Sequence, residues 1–176
     1  MRKFMGLIAL MALAIMPAHA QTTPQVEIMG GYSYLRADVS GVDTGLHGWN
    51  ASLTENVNRW LGGTAEFGGS YASPGNVNVN AHSFLFGPKF SYRKNDSFTP
   101  FAHVLLGGLH ASRGYLGISQ PTTDFAAAFG GGLDVKVNKI VSIRVIQADY
   151  IVTPFLNQTQ SNIRLSAGVV LRFGKR

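Results

Sequence analysis

The run Asn162–Phe173 constrains this chain more than any other stretch. Ile163, Leu165, Ala167, Val169, Leu171 and Phe173 fall on one side of a period-two alternation. Asn162, Arg164, Ser166, Gly168 and Arg172 fall on the other, with Val170 the only apolar intruder. Such alternation is a strand with one oily and one polar face. A soluble strand usually ends after about five to six residues, whereas a tilted strand needs roughly ten to cross a bilayer. Lipid offers the backbone of a lone strand nothing to bond, so further strands must pair with it and the sheet must close.

The start of the chain reads differently. Arg2 and Lys3 precede an apolar run, Leu7–Met16, and Pro17-Ala18-His19-Ala20 ends in a small-x-small cleavage site. This pattern predicts a secretory signal peptide over 1–20 and a single mature domain over 21–176. After Ala20 no apolar run approaches the roughly twenty residues of a membrane helix. The 15 Lys and Arg face 9 Asp and Glu, which leaves a net charge of +4 once Arg2 and Lys3 are set aside. The basic residues are scattered, so no nucleic-acid partner is expected. Absence of cysteine excludes disulfides and thiolate metal sites. Neither metal nor cofactor is expected, since no His-x-x-x-His spacing occurs and Gly130-Gly131-Gly132 sits inside a strand pattern rather than a phosphate loop.

The alternation recurs over Gln25–Arg36, Leu46–Glu55, Trp60–Tyr71, His82–Arg93, Phe101–Ala111, Asp124–Lys136 and Ile140–Val152, which with the closing run makes eight strands. Polar loops are expected at Ala37–Gly45, Ala72–Ala81, Ser112–Thr123 and Thr153–Ser161. They alternate with shorter connections at Asn56–Arg59, Lys94–Pro100 and Val137–Lys139. The predicted fold is therefore all-β: an eight-stranded antiparallel up-and-down transmembrane β-barrel, with both termini on the short-turn, periplasmic side. Three local features need special treatment. Pro88 cannot donate to a ladder, so a distortion is expected at Gly87-Pro88. Phe101–Ala111 is apolar on both faces; His103 is placed inward, Val104 and Leu106 outward. Arg144 and Asp149 have opposite parity, so a bulge near Ile146 would bring both inside.

These residues resemble a known family. Gly30-Gly31-Tyr32-Ser33-Tyr34, Gly48-Trp49-Asn50-Ala51, Phe86-Gly87-Pro88-Lys89-Phe90, Asp149-Tyr150 and the closing run Ala167–Gly174 are similar to small outer-membrane β-barrel proteins of the OmpA-like eight-stranded type. The resemblance covers essentially Gln25–Phe173 and implies a location in the outer membrane of a Gram-negative bacterium, among its lipids. Family members commonly end on an aromatic residue that the outer-membrane insertion machinery reads. Here Gly174-Lys175-Arg176 follow Phe173, a departure from that pattern. No OmpA-type peptidoglycan-binding domain is expected after the last strand.

The candidate site is a set of inward charges: Glu27, Glu66, Asp134 and Asp149 against Lys89, Arg144 and Arg164. Buried charges must be paired, and pairing across a narrow interior plugs it. An ion pathway lined by the same residues is the alternative, disfavoured because eight strands leave little room. His110 and Ser112 could serve a lipid-modifying enzyme if an acid oriented the histidine, but no acid can be assigned. His82-Ser83 is a weaker pair, and His47 and His103 read as single polar residues. Tyr32, Tyr34, Trp49, Trp60, Tyr71, Phe84, Tyr92, Phe101, Phe125, Tyr150 and Phe173 are expected as interfacial girdles. A secreted barrel holding an apolar ligand would instead turn these rings inward.

The functional expectation is a structural, non-enzymatic outer-membrane barrel with surface interactions through four extracellular loops; a narrow pore and a lipid-modifying enzyme are the alternatives. The protein should sediment with outer membranes, migrate heat-modifiably on gels and yield Gln21 as its first residue on N-terminal sequencing. Recovery from soluble periplasm without detergent would contradict the membrane assignment.

Overall fold

The computed structural model describes residues 23–39, 42–72, 77–95, 97–115, 118–155 and 158–174, so the predicted leader and its cleavage site lie outside the described residues. Eight strands follow one another: β1 (Val26–Val39), β2 (Val42–Asn56), β3 (Leu61–Ala72), β4 (Val77–Ser91), β5 (Phe98–Tyr115), β6 (Ile118–Lys136), β7 (Val141–Phe155) and β8 (Gln158–Phe173). Each pairs antiparallel with its sequence neighbours. The barrel closes through β1 and β8, from Val26↔Phe173 to Ala37↔Asn162. Every strand thus has a partner on both edges, as hydrocarbon requires.

The strands outrun their expected ends on one side. The polar segments expected as four long loops are mostly paired strand. β1 and β2 meet at Val39↔Val42, β5 and β6 at Tyr115↔Ile118, and β7 and β8 at Phe155↔Gln158. The physical reason is that oily-polar alternation is imposed by the bilayer. Beyond it the sequence period is no longer imposed, while backbone pairing continues. The opposite end carries both described chain ends and three connections, within which Val57 and Val137 donate back to Leu61 and Val141. This is called the turn end below.

Facing follows the alternation. Ile28, Leu53, Phe86, Leu106, Phe129, Ile163 and Val169 are exposed on the outer wall, while Met29, Leu105 and Val170 point inward and are buried. Val170, the apolar intruder of β8, faces Met29 of β1 across the closing ladder. His103 is buried inside, with Val104 and Leu106 outside, as expected. Phe101 is a correction: it is 6% exposed and faces the lumen rather than a girdle. It shares the parity of inward His103, and the girdle expectation rested only on its ring and its place near the strand end. Exposed outer aromatics include Trp60, Tyr92, Phe98 and Phe173 near the turn end and Tyr32, Trp49, Tyr71 and Phe125 farther along the wall, with Phe67, Phe86, Phe129 and Tyr150 between.

Two irregularities fall where the residues demand them. Between Arg144 and Gln147 the register of β7 shifts against both neighbours. Val145 and Ile146 are both exposed, and Arg144, Gln147 and Asp149 all point inward. The bulge expected near Ile146 is therefore present. At Gly87-Pro88 the β4–β5 ladder is interrupted between Phe86↔Leu106 and Lys89↔His103, yet the register is the same on both sides and β3 pairs both residues. The proline removes a donor toward one neighbour without displacing the strand.

The facing of β8 has a direct test. Ala167 is exposed on the lipid side and Ser166 is buried in the lumen. Arginine at a lipid-facing midplane position costs about 2–4 kcal/mol, whereas in the lumen it has carboxylates in reach. Ala167→Arg is expected to destabilise the barrel clearly more than Ser166→Arg in reversible denaturant unfolding from matched vesicles. A larger cost at Ser166 would contradict the facing.

Candidate functional site

A closed sheet of eight strands leaves an interior that side chains fill. Each strand sends every second residue into it, and four carboxylates, Glu27, Glu66, Asp134 and Asp149, lie there at 1–2% exposure. Lys89, Arg144 and Arg164 lie beside them, each 2% exposed. The seven residues expected as a lumen charge set thus all lie inside. They are not one cluster; they form two ionic layers joined through a ring.

The middle layer centres on Arg164 of β8. Its Nε donates to Asp149 Oδ2 at 3.0 Å and its Nη2 at 2.7 Å, while Nη2 also donates to Glu66 Oε1 across the lumen. Gln147 ties the two carboxylates together, donating to Asp149 Oδ2 at 2.8 Å and Glu66 Oε2 at 3.0 Å. His103 Nε2 lies 2.8 Å from the other Asp149 oxygen. Arg144 grips Asp134 through two nearly parallel bonds of 2.7 and 3.1 Å, and its third nitrogen donates to Gln147 Oε1 at 2.7 Å. Paired donors of this kind fix direction as well as charge. Glycine makes the room: a Cβ on Gly130 would collide with Asp149 Oδ1, and one on Gly132 would lie 2.8 Å from the Phe101 ring.

The second layer sits at the turn end around Glu27. Lys89 Nζ lies 3.1 Å from Oε2, Arg93 Nη2 3.0 Å from Oε1 and Arg172 Nε 3.4 Å from Oε1. Arg93 also donates to Asn56 Oδ1, and Asn56 in turn donates to the Pro24 carbonyl. Phe101 joins the layers, with Lys89 Nζ 4.6 Å and Arg144 Cζ 4.2 Å from its ring centroid. Desolvated cation–π contacts contribute about 2 kcal/mol or more. Toward the other end, Leu35, Leu46, Leu85, Leu105, Ala126, Ala128 and Ile151 pack into a buried apolar cluster inside the same lumen.

Sequence reasoning missed several members. Gln147 follows the bulge and shares the inward parity of Asp149, a signal that was present. Arg93 lies beyond β4 and is held by reciprocal bonds with Arg59, each guanidinium donating to the other residue's carbonyl at 2.8 and 2.9 Å. Arg172 shares parity with Arg164, a signal that was present. For the His110–Ser112 pair the structure gives a threonine partner, not a carboxylate, among the described residues. His110 is exposed on the outer wall, where its Nδ1 lies 2.8 Å from Thr123 Oγ1. Asp124, next in the chain to Thr123, has inward parity with buried Ala126. Among the described residues no group of His, Cys, Asp or Glu could hold a metal ion.

The family model for the outer membrane protein β-barrel domain matches residues 5–173. The chain belongs to that family. It is accordingly a small eight-stranded barrel of the outer membrane of a Gram-negative bacterium, set in that membrane's lipids. Solved structures share the fold at low identity. Neisserial surface protein A superposes with a TM-score of 0.71 at 15% identity, covering 85% of this chain and 97% of that one. Ail, the attachment invasion locus protein of Yersinia pestis, gives 0.59 at 19% identity, with 84% and 99% covered. OprG from Pseudomonas aeruginosa gives 0.57 at 10% identity, with 88% and 98% covered. No curated protein sequence matches the chain.

Removing Arg164 leaves Glu66 and Asp149 facing each other with their guanidinium gone. Breaking a buried pair this way costs about 3–5 kcal/mol. Arg164→Met is expected to lower vesicle unfolding stability by that order, and adding Glu66→Gln to recover part of it. A single variant as stable as the parent would contradict the network's role.

Proposed function

We propose that this family member is a closed, non-conducting and non-enzymatic scaffold of the outer membrane, whose work lies at its surface. The observation that carries the proposal is the filling of the lumen by two kinds of material in series. The Glu66–Arg164–Asp149 layer occupies the middle, and the Leu35–Leu85–Leu105 cluster occupies the half beyond it. A hydrated ion would have to displace paired charges and then enter an apolar layer, and either step is costly. The same filling counts against the narrow pore. The pairing of His110 with Thr123 rather than, among the described residues, with a carboxylate counts against the lipid-modifying enzyme.

A surface role fits the paired strands that carry four hairpins away from the turn end. Two proteins of similar fold carry such roles in their names, one a surface protein and the other an attachment invasion protein. Insertion through the outer-membrane insertion machinery is part of the same reading, with Phe173 exposed on the outer wall at the end of β8 as the residue to be read.

Planar bilayers give the test. The purified barrel is expected to show no steady conductance. Arg164→Ala should remain closed too, because the leucine layer is untouched. Steady open channels in the parent protein, with a conductance altered by Arg164→Ala, would favour the pore instead.

A further inference from the structure

Charge is unevenly divided within the lumen. In the middle layer Glu66 and Asp149 are committed to Arg164, Gln147 and His103, and Asp134 is committed to Arg144. At the turn end, among the described residues, the Glu27 carboxylate serves Lys89, Arg93 and Arg172 together. The side chains of Arg93 and Arg172 are only 10% and 8% exposed. Arg93 Nε and Arg172 Nη2 are buried and donate to nothing, and Arg172 Nε has only its 3.4 Å ion pair with Glu27. Unmade hydrogen bonds on buried charged groups are expensive, and a surplus of buried cations more so. Exposed Arg59 and Lys94 beside this mouth extend the positive field outward.

We propose that the turn-end mouth is a binding site for a phosphate-class anion, held by Arg93 and Arg172 beside Glu27. Guanidinium forks match phosphate oxygens in number and angle. The unpartnered Nη2 of Arg172 and Nε of Arg93 supply two donors, from two guanidinium groups that meet at Glu27 Oε1. Lys89 adds charge from beneath. The anion neutralises the surplus that Glu27 alone leaves. In barrels of this kind the turn end faces the periplasm. Two sources offer the same chemistry there: free inorganic phosphate, and the phosphodiester of an anionic phospholipid in the inner leaflet.

The test uses the folded barrel in a non-ionic maltoside detergent, which brings no phosphate of its own. Inorganic phosphate is titrated calorimetrically, and phosphatidylglycerol retention is followed by native mass spectrometry. Arg172→Gln removes the charge. Arg93→Lys keeps the charge but loses the fork, so it guards against a variant that fails to fold. Lys139→Gln, in the exposed β6–β7 connection at the same end, controls for general surface charge. Folding of each is checked by heat-modifiable migration. One phosphate per barrel, bound about tenfold or more weakly in both arginine variants, supports the site with free phosphate as its source. Retention of phosphatidylglycerol alone, with the same dependence on the variants, supports the site with a lipid headgroup as its source. Binding of neither probe, binding unchanged in both arginine variants, or binding weakened equally by Lys139→Gln overturns the proposal.

Discussion

Everything in this molecule depends on where a strand in hydrocarbon sends its backbone N–H and C=O groups. With no water available they must bond to another strand, and the first and last strands must bond to each other. The Val26↔Phe173 to Ala37↔Asn162 ladder meets that demand. Closing after eight strands has a consequence for chemistry: the wall is oily outside, and the interior is too narrow to be a bath of water. Polar side chains that alternate with the oily ones are therefore driven into a confined space, where each must find a partner.

The partners are found by arranging charges in depth. Arg164 reaches from β8 to Glu66 of β3 across the lumen, and Gln147 fills the remaining acceptors of the pair it bridges. Such a network is poor evidence of added stability over an apolar core. It does specify one arrangement, because each donor has a particular acceptor. The β7 bulge is what makes this possible. Without the extra residue at Val145–Ile146, Arg144 and Asp149 could not both face inward, and Gln147 would point at lipid. The leucine cluster beyond the network shows a second way of filling the same interior, with no polar group left to satisfy.

Most of the fold was legible because the bilayer writes a strong period into a strand. Glu66, Lys89 and Arg164 could be placed inside by parity alone, and the clash of parity between Arg144 and Asp149 itself announced the bulge. The strand extensions left no such mark: they run through polar segments in which no sustained oily-polar alternation records them. Phe101 was read as a girdle residue from its ring and its place near a strand end, although it shares the parity of inward His103; its contacts with Lys89 and Arg144 bear out that parity. Arg93 closed the expected strand His82–Arg93 at the parity of inward Lys89, a signal that was present but not used. The inward leucines were obscured by the expectation that a membrane barrel is polar within.

The central claim is that this interior is filled rather than watered. The chain has no cysteine, so single cysteines report without background. Ser52 and Ser166 are each 5% exposed and face the lumen from β2 and β8. The most direct measurement is the rate at which a charged, water-soluble thiol reagent modifies Ser52→Cys and Ser166→Cys in folded barrels inserted in vesicles, compared with the same variants unfolded in urea. A filled lumen predicts almost no modification until the barrel unfolds. Rapid modification of both in the folded state would mean that water and solutes pass freely through the interior, and would contradict the account.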